Sequence, residues 1–213
     1  MRHVRYLAVL AIFAAAAMYV PNASAEEAQE QEEFETFVQV SLQNSVSEDG
    51  YTPTAQLLIQ RPVYAEYFGI TCFALASPAY GEAHCGLFVE PIDWLYLSLS
   101  AGIETHESVY RVSGTVMVNA GVFQAVGVFE YGGSGRWHTL RAGFRIGEHI
   151  RLGLMSQRFE GEGPFVQLGV GRVSLRAAYL FDIERYVDER AEFGWRNNRF
   201  YTALIALSVR ASP

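Results

Sequence analysis

Lysine is missing altogether. All 16 basic residues among the 213 are arginine, set against 23 acidic ones, for a formal net charge of −7. An acidic chain without a basic run is a poor partner for a polyanion, which sets aside nucleic-acid binding. Cysteine is nearly missing too: only Cys72 and Cys85 occur, and with no CxxC pair neither a zinc ribbon nor a thioredoxin-like redox centre is encoded. After residue 25 no apolar run approaches the ~18 residues that a transmembrane helix requires. No GxSxG elbow, HExxH pair or phosphate-binding loop is present, and no cofactor is implied. What is abundant is apolar. Half the residues are hydrophobic and evenly spread, which excludes wholesale disorder and, at this length, implies one domain.

Residues 1–25 read as a cleaved signal peptide of the general secretory type. Arg2 and Arg5 form the positive region, Leu7 to Val20 is a 14-residue apolar core, and Ala23-Ser24-Ala25 supplies the cleavage signal. As a helix that core falls short of the ~30 Å of hydrocarbon a membrane anchor must cross. Cleavage leaves 188 residues beginning at Glu26, and losing Arg2 and Arg5 takes the formal charge to −9. Residues 26–33, EEAQEQEE, are an acidic lead-in with nothing to bury.

From Phe34 onward the hydrophobic period is two. Leu95, Leu97, Leu99, Ala101 and Ile103 alternate with Tyr96, Ser98, Ser100, Gly102 and Glu104. Val38/Val40/Leu42, Leu140/Ala142/Phe144/Ile146 and Val173/Leu175/Ala177/Tyr179 repeat the pattern, which fails the helical spacing test. Turn residues divide it into strands near 34–44, 54–61, 66–76, 83–90, 94–105, 108–119, 121–131, 136–146, 149–160, 164–171, 173–184 and 199–210. Tight connections (Arg61 to Ala65, Glu90 to Asp93, Asn119 to Gly121, Gly147 to His149, Gly171-Arg172) alternate with longer or more polar ones. The latter are Ser45 to Pro53, Ser77 to Glu82, Gly132 to Gly135 and Arg185 to Asn198. The prediction is an all-β, closed antiparallel transmembrane barrel over 34–213, with twelve strands preferred and ten the alternative.

A soluble barrel also alternates, but its polar face meets water and carries frequent charges. Here that face carries Ser, Gly, Gln, Thr and some Arg, while the apolar face recurs in nearly every strand. Hydrocarbon demands such a face, because a charge at the bilayer midplane costs ~2–4 kcal/mol. Aromatics at strand ends suit interfacial girdles: Trp94 and Tyr96, Tyr131 and Trp137, Tyr64 and Phe68, Trp195, Phe200 and Tyr201. Over residues 34–210 this pattern resembles the bacterial outer-membrane β-barrel class. The resemblance implies an outer-membrane location, with membrane lipid and the insertion machinery as partners. Such barrels commonly close on a terminal aromatic, whereas this chain ends Arg210-Ala-Ser-Pro213.

Strand parity sends Arg111, Arg141, Arg145, Arg151 and Arg176 into the lumen, with Arg210 at its edge, and Glu104, Glu130, Asp182 and Glu184 onto the same face. Guanidinium is permanently charged and forks onto carboxylate or phosphate, so an arginine wall favours small anionic solutes. The bland alternative pairs each arginine with a glutamate across the strands. Three functions stay open: a narrow passive channel, a non-conducting structural or surface-interaction barrel, and a lipid hydrolase using Ser108 beside His106. His84 belongs to no motif, and His138 and His149 form a metal pair only if they share a rim. The segment Arg185 to Asn198 reads as a surface-recognition loop or as a solvated closure of the last hairpin. Cys72 and Cys85 lie symmetrically about Pro78 and Ala79, so hairpin pairing sets them opposite each other as a disulfide at its outer end. Two separate thiols are the alternative.

Overall fold

In the computed structural model, residues 35–47, 50–64, 67–181 and 201–211 are described. They form β1 (Phe37–Ser47), β2 (Gly50–Tyr64), β3 (Phe68–Ala76), β4 (Gly81–Ile92), β5 (Leu95–Glu104) and β6 (Tyr110–Ala120). The second half comprises β7 (Phe123–Gly132), β8 (Gly135–Ile146), β9 (Ile150–Gln157), β10 (Gly161–Val170), β11 (Val173–Phe181) and β12 (Tyr201–Ala211). Each strand pairs antiparallel with its sequence neighbours, and β12 returns to β1 from Val38↔Ala211 to Ser47↔Thr202. The barrel is closed with twelve strands, so no edge is left with unpaired amides, which hydrocarbon would not tolerate.

The period of two becomes two faces. Along β10, Glu162, Pro164, Val166, Leu168 and Val170 are exposed, while Gly163, Phe165, Gln167 and Gly169 turn inward. Around the barrel Val40, Leu42, Phe144, Leu175, Ile205 and Leu207 face out, with Leu99 72% and Leu154 68% exposed. An apolar belt of this extent, wrapping the molecule, matches lipid rather than water. Its height agrees: a ten-residue strand such as β5, rising ~3.3 Å per residue at a ~40° tilt, spans roughly 25 Å. Outward rings border the belt at both ends. Tyr64, Tyr67 and Trp94 lie towards the end where β1 begins and β12 finishes, and Tyr51, Tyr110, Tyr131, Tyr179 and Tyr201 towards the far end.

The apolar packing proper lies inside the barrel. Met155, Phe165, Ala178, Leu180, Leu204 and Ala206 form one buried cluster on the inward faces of β9 to β12. The lumen is therefore less polar than alternation alone implies. Two rings expected in the girdle also face inward. Tyr96 sits between outward Leu95 and Leu97, stacks on Phe88 with centroids 5.5 Å apart, and takes a hydrogen bond of 2.6 Å from Gln60 Nε2. Trp137 stands opposite buried Glu130.

The turns correct the expected asymmetry. Gly121, Gly147 and Gly171 adopt φ of +61°, +63° and +56°, the left-handed backbone that tight hairpins need and that only glycine takes without strain. At the far end, however, the expected loop Ser45 to Pro53 is largely strand, with Ser47 paired to Gly50, and Gly132 pairs directly with Gly135. Val46 and Tyr51 there continue the apolar outer face, which is why the wall extends. The signal segment 1–25, the lead-in 26–33, Asp182, Glu184, the loop 185–198, Trp195, Phe200 and Pro213 lie outside the described residues.

Cys72 and Cys85 are bonded to each other, directly paired across β3 and β4 with Cα atoms 4.1 Å apart. The bond lies four rungs in from Ala76↔Gly81, so it staples the wall of the barrel rather than the hairpin's outer end. Parity puts it on the outward face, between Ile59 and Ala101.

Candidate lumenal site

Towards the far end, β4 to β7 turn a polar cluster into the lumen. β4 contributes Glu82 and His84, β5 Ser100 and Glu104, β6 Arg111 and Ser113, and β7 Glu130, all buried. Glycines make the room. A Cβ on Gly102, which stands opposite both His84 and Arg111, would lie 2.6 Å from the His84 Cβ and 2.0 Å from the Ala83 carbonyl oxygen. One on Gly132 would lie 2.9 Å from the Arg111 Cδ.

Arg111 holds three carboxylates at once. Its Nη2 donates to Glu130 Oε2 at 2.5 Å, its Nη1 to Glu104 Oε2 at 3.0 Å, and its Nε lies 3.0 Å from Glu82 Oε2. Glu104 also accepts from the Ser134 amide at 2.5 Å and the Ser134 hydroxyl at 2.7 Å. The Tyr80 hydroxyl, from the β3–β4 loop, reaches Glu82 Oε2 at 2.6 Å and Glu104 Oε2 at 2.8 Å. Burial, followed by the charge of Glu82, pushes the Tyr80 phenol well above its ordinary value, so it remains a proton donor. The Ser100 hydroxyl meets His84 Nδ1 at 2.7 Å, and the Phe73 ring packs against the imidazole with centroids 5.1 Å apart. His84 Nε2 points towards Glu130 Oε1 at 3.7 Å and has no hydrogen-bond partner.

The other inward arginines are arranged differently. Arg141 and Arg151 share a small lumenal pocket of about 10 Å³ with Gln124, Val126, Phe165 and Gln167. That is about the size of one water. Arg145 and Arg151 stand directly opposite each other on β8 and β9, and Arg176 faces Gln167 and Ala206. Arg151 Nη1 donates to Gln124 Oε1. Among the described residues, none of Arg141, Arg145, Arg151 and Arg176 lies within ion-pair distance of a carboxylate. The Nε atoms of Arg151 and Arg176 are buried without a hydrogen-bond partner. Arg210 donates to Gln39 Oε1 at 3.3 Å and lies over the Phe37 ring. Arg111 is tied into ion pairs with Glu82, Glu104 and Glu130, while β8, β9 and β11 carry arginines with no such pair among the described residues.

The remaining candidates do not assemble. His106 Nδ1 accepts the backbone N–H of Ser108 at 3.3 Å, and both residues are exposed, so the serine hydroxyl is not engaged by the ring. His138 lies on the outward face of β8 near the far end, and His149 in the β8–β9 turn at the opposite end, so they share no rim. The members that sequence reasoning missed are Tyr80, Glu82 and His84.

No protein-family model matches the chain, and no curated protein matches it in sequence. Solved structures do match in shape. A chain determined in work on the in-meso crystallization of membrane proteins has 8% identity and a TM-score of 0.57, over 83% of both chains. The KdgM porin shows 8% identity and a TM-score of 0.49, covering 80% of this chain and 98% of its own. The outer membrane protein Omp33 of Acinetobacter baumannii shows 8% identity and a TM-score of 0.46, covering 83% and 97%. At these identities the likeness is one of fold. Closed topology, lipid-matched exterior and aromatic borders together are those of a membrane-spanning β-barrel.

Proposed function

We infer that the protein is a narrow passive channel for small solutes, with anions favoured over cations. One observation carries this reading: Arg141, Arg145, Arg151 and Arg176 turn into the lumen with no carboxylate paired to them among the described residues. A confined charge acts strongly on a passing ion because solvent screening is weak there. Net charge is no guide to selectivity, since many of the carboxylates lie in the lead-in 26–33 or are paired with Arg111. Twelve strands ~4.7 Å apart and tilted ~40° enclose a backbone radius of roughly 12 Å, which inward side chains reduce to a narrow passage. Outer-membrane lipid surrounds the barrel on this reading, and the insertion machinery assembles it.

The test is the reversal potential of the refolded protein in a planar bilayer across a salt gradient. Wild type is expected to prefer anions, and Arg141→Glu/Arg145→Glu to lose or reverse that preference. Cation preference in the wild type, or an unchanged double variant, removes the arginine mechanism. A second reading, a non-conducting structural barrel, is favoured by the fully buried Leu180 and Leu204 in the lumenal cluster. Absence of any conductance would select it.

A further inference from the structure

We propose that Glu82, His84 and Glu130 form a binding site for a divalent transition cation of the zinc type inside the far end of the lumen. This inference stands independently of the channel reading. One imidazole nitrogen and one oxygen from each carboxylate lie within 4.8 Å of one another, and all three residues are buried.

Two further observations point to a cation rather than to a closed salt-bridge network. The first is His84, which is 6% exposed. Its Nδ1 is held by the Ser100 hydroxyl, which in turn lies 3.5 Å from the Ser113 carbonyl oxygen. In the Nδ1–H tautomer, in which the Ser100 hydroxyl accepts from the ring, the lone pair lies on Nε2. That lone pair points at Glu130 Oε1, 3.7 Å away, with no hydrogen bond to satisfy it. A buried lone pair facing a carboxylate is unfavourable unless a positive centre lies between them. A hydrogen bond on the ring nitrogen that faces away from the ion, as Ser100 makes to Nδ1, is also what orients metal-binding imidazoles.

The second observation is charge. Glu82, Glu104 and Glu130 all converge on Arg111, the single guanidinium of the cluster. A dication brings the whole group to neutrality. Arg111 occupies Glu130 Oε2, which leaves Oε1 towards His84. An imidazole with two carboxylates suits zinc and its neighbours, whereas magnesium and calcium prefer oxygen alone. Bonds of ~2.0–2.2 Å would draw the three ligand atoms together by roughly an ångström, within reach of carboxylate rotation.

The experiment uses the whole refolded barrel with His106, His138 and His149 replaced by alanine, so that exposed imidazoles cannot contribute. Titration with Zn²⁺ alone, and separately with Mg²⁺, is followed by calorimetry. The expected result is one Zn²⁺ per barrel, bound well ahead of Mg²⁺. Affinity should fall at least about tenfold in His84→Gln and Glu130→Gln, as loss of ligands or of their supports usually costs. Ser100→Ala should weaken it by about 10–100-fold through loss of ring orientation. Folding of each variant is checked by its faster migration when unheated. Should the ligand variants fail to fold, zinc K-edge absorption on the triple-alanine barrel decides alone: one nitrogen and two carboxylate oxygens at ~2.0–2.2 Å support the site. Absence of Zn²⁺ binding in that barrel, equal affinity for Mg²⁺, unchanged binding in folded His84→Gln, or a shell of water oxygens only would each overturn it.

Discussion

Arg111 is the residue on which the far end of the lumen depends. Removing it would strand three buried carboxylates, and breaking a buried ion pair on one side costs about 3–5 kcal/mol. Arg111→Ala should lower the unfolding free energy of the barrel by that order in urea titrations. Arg111→Lys should recover only part of it, because an ammonium cannot present the guanidinium's planar fork. Arg141→Ala, which leaves no described carboxylate without its partner, should change stability far less. The meeting of Arg111 with Glu104 and Glu130 was legible in the alternation, since parity alone puts them on one face. Glu82 and His84 were not. The tight turn after β4 suggests a register in which Glu82 and His84 fall opposite outward residues. A bulge between Val89 and Ile92 shifts that register by one and swings both side chains into the lumen. One-residue slips exchange the two faces of a strand, and the only sign of this one in the Glu90 to Asp93 segment is Pro91, a residue that strands admit chiefly at edges and bulges.

At the scale of the element, the β3–β4 hairpin is held by both its ladder and its disulfide. Pairing from Phe68↔Val89 to Ala76↔Gly81 fixes Cys72 opposite Cys85, so the covalent bond forms across a register already set. A cross-link over 13 residues should restrict the unfolded chain by about 3 kcal/mol on a loop-entropy argument. Cys72→Ser/Cys85→Ser is therefore expected to keep the barrel, since β2 and β5 still flank the hairpin, while unfolding at lower denaturant. Intact mass of alkylated wild type should reveal no free thiol. Strand existence and number followed from alternation, because lipid and lumen impose opposite demands on successive residues. Strand ends at the far side did not: Ser45 to Pro53 has the composition of a loop, yet pairing carries the wall through it. Tyr96 and Trp137 show the limit of composition as a guide to position. Both have the amphipathic rings of a girdle, but parity with their neighbours commits them to the lumen.

For the molecule as a whole, the question is which solvent the outer face was built to meet, and depth gives the answer a measurable form. Leu99 lies midway along β5, outward and 72% exposed, while Tyr51 lies outward near the far rim and is 63% exposed. In water, arginine at either position would be close to neutral, because an exposed leucine contributes little and a charge is welcome. In a bilayer the two positions differ. Arginine at the midplane costs ~2–4 kcal/mol, falling to ~0–1 kcal/mol near the interface. Leu99→Arg should therefore fold into vesicles with markedly reduced stability or not at all, and Tyr51→Arg should behave nearly as wild type. Folding free energies from denaturant titration in lipid vesicles, with the unheated gel shift as a second readout, give the comparison. Equal, small effects at the two sites would mean that the apolar belt meets water, and would overturn the membrane assignment. A loss graded with depth would tie the barrel's stability to the hydrocarbon around it, as the exposed apolar belt requires.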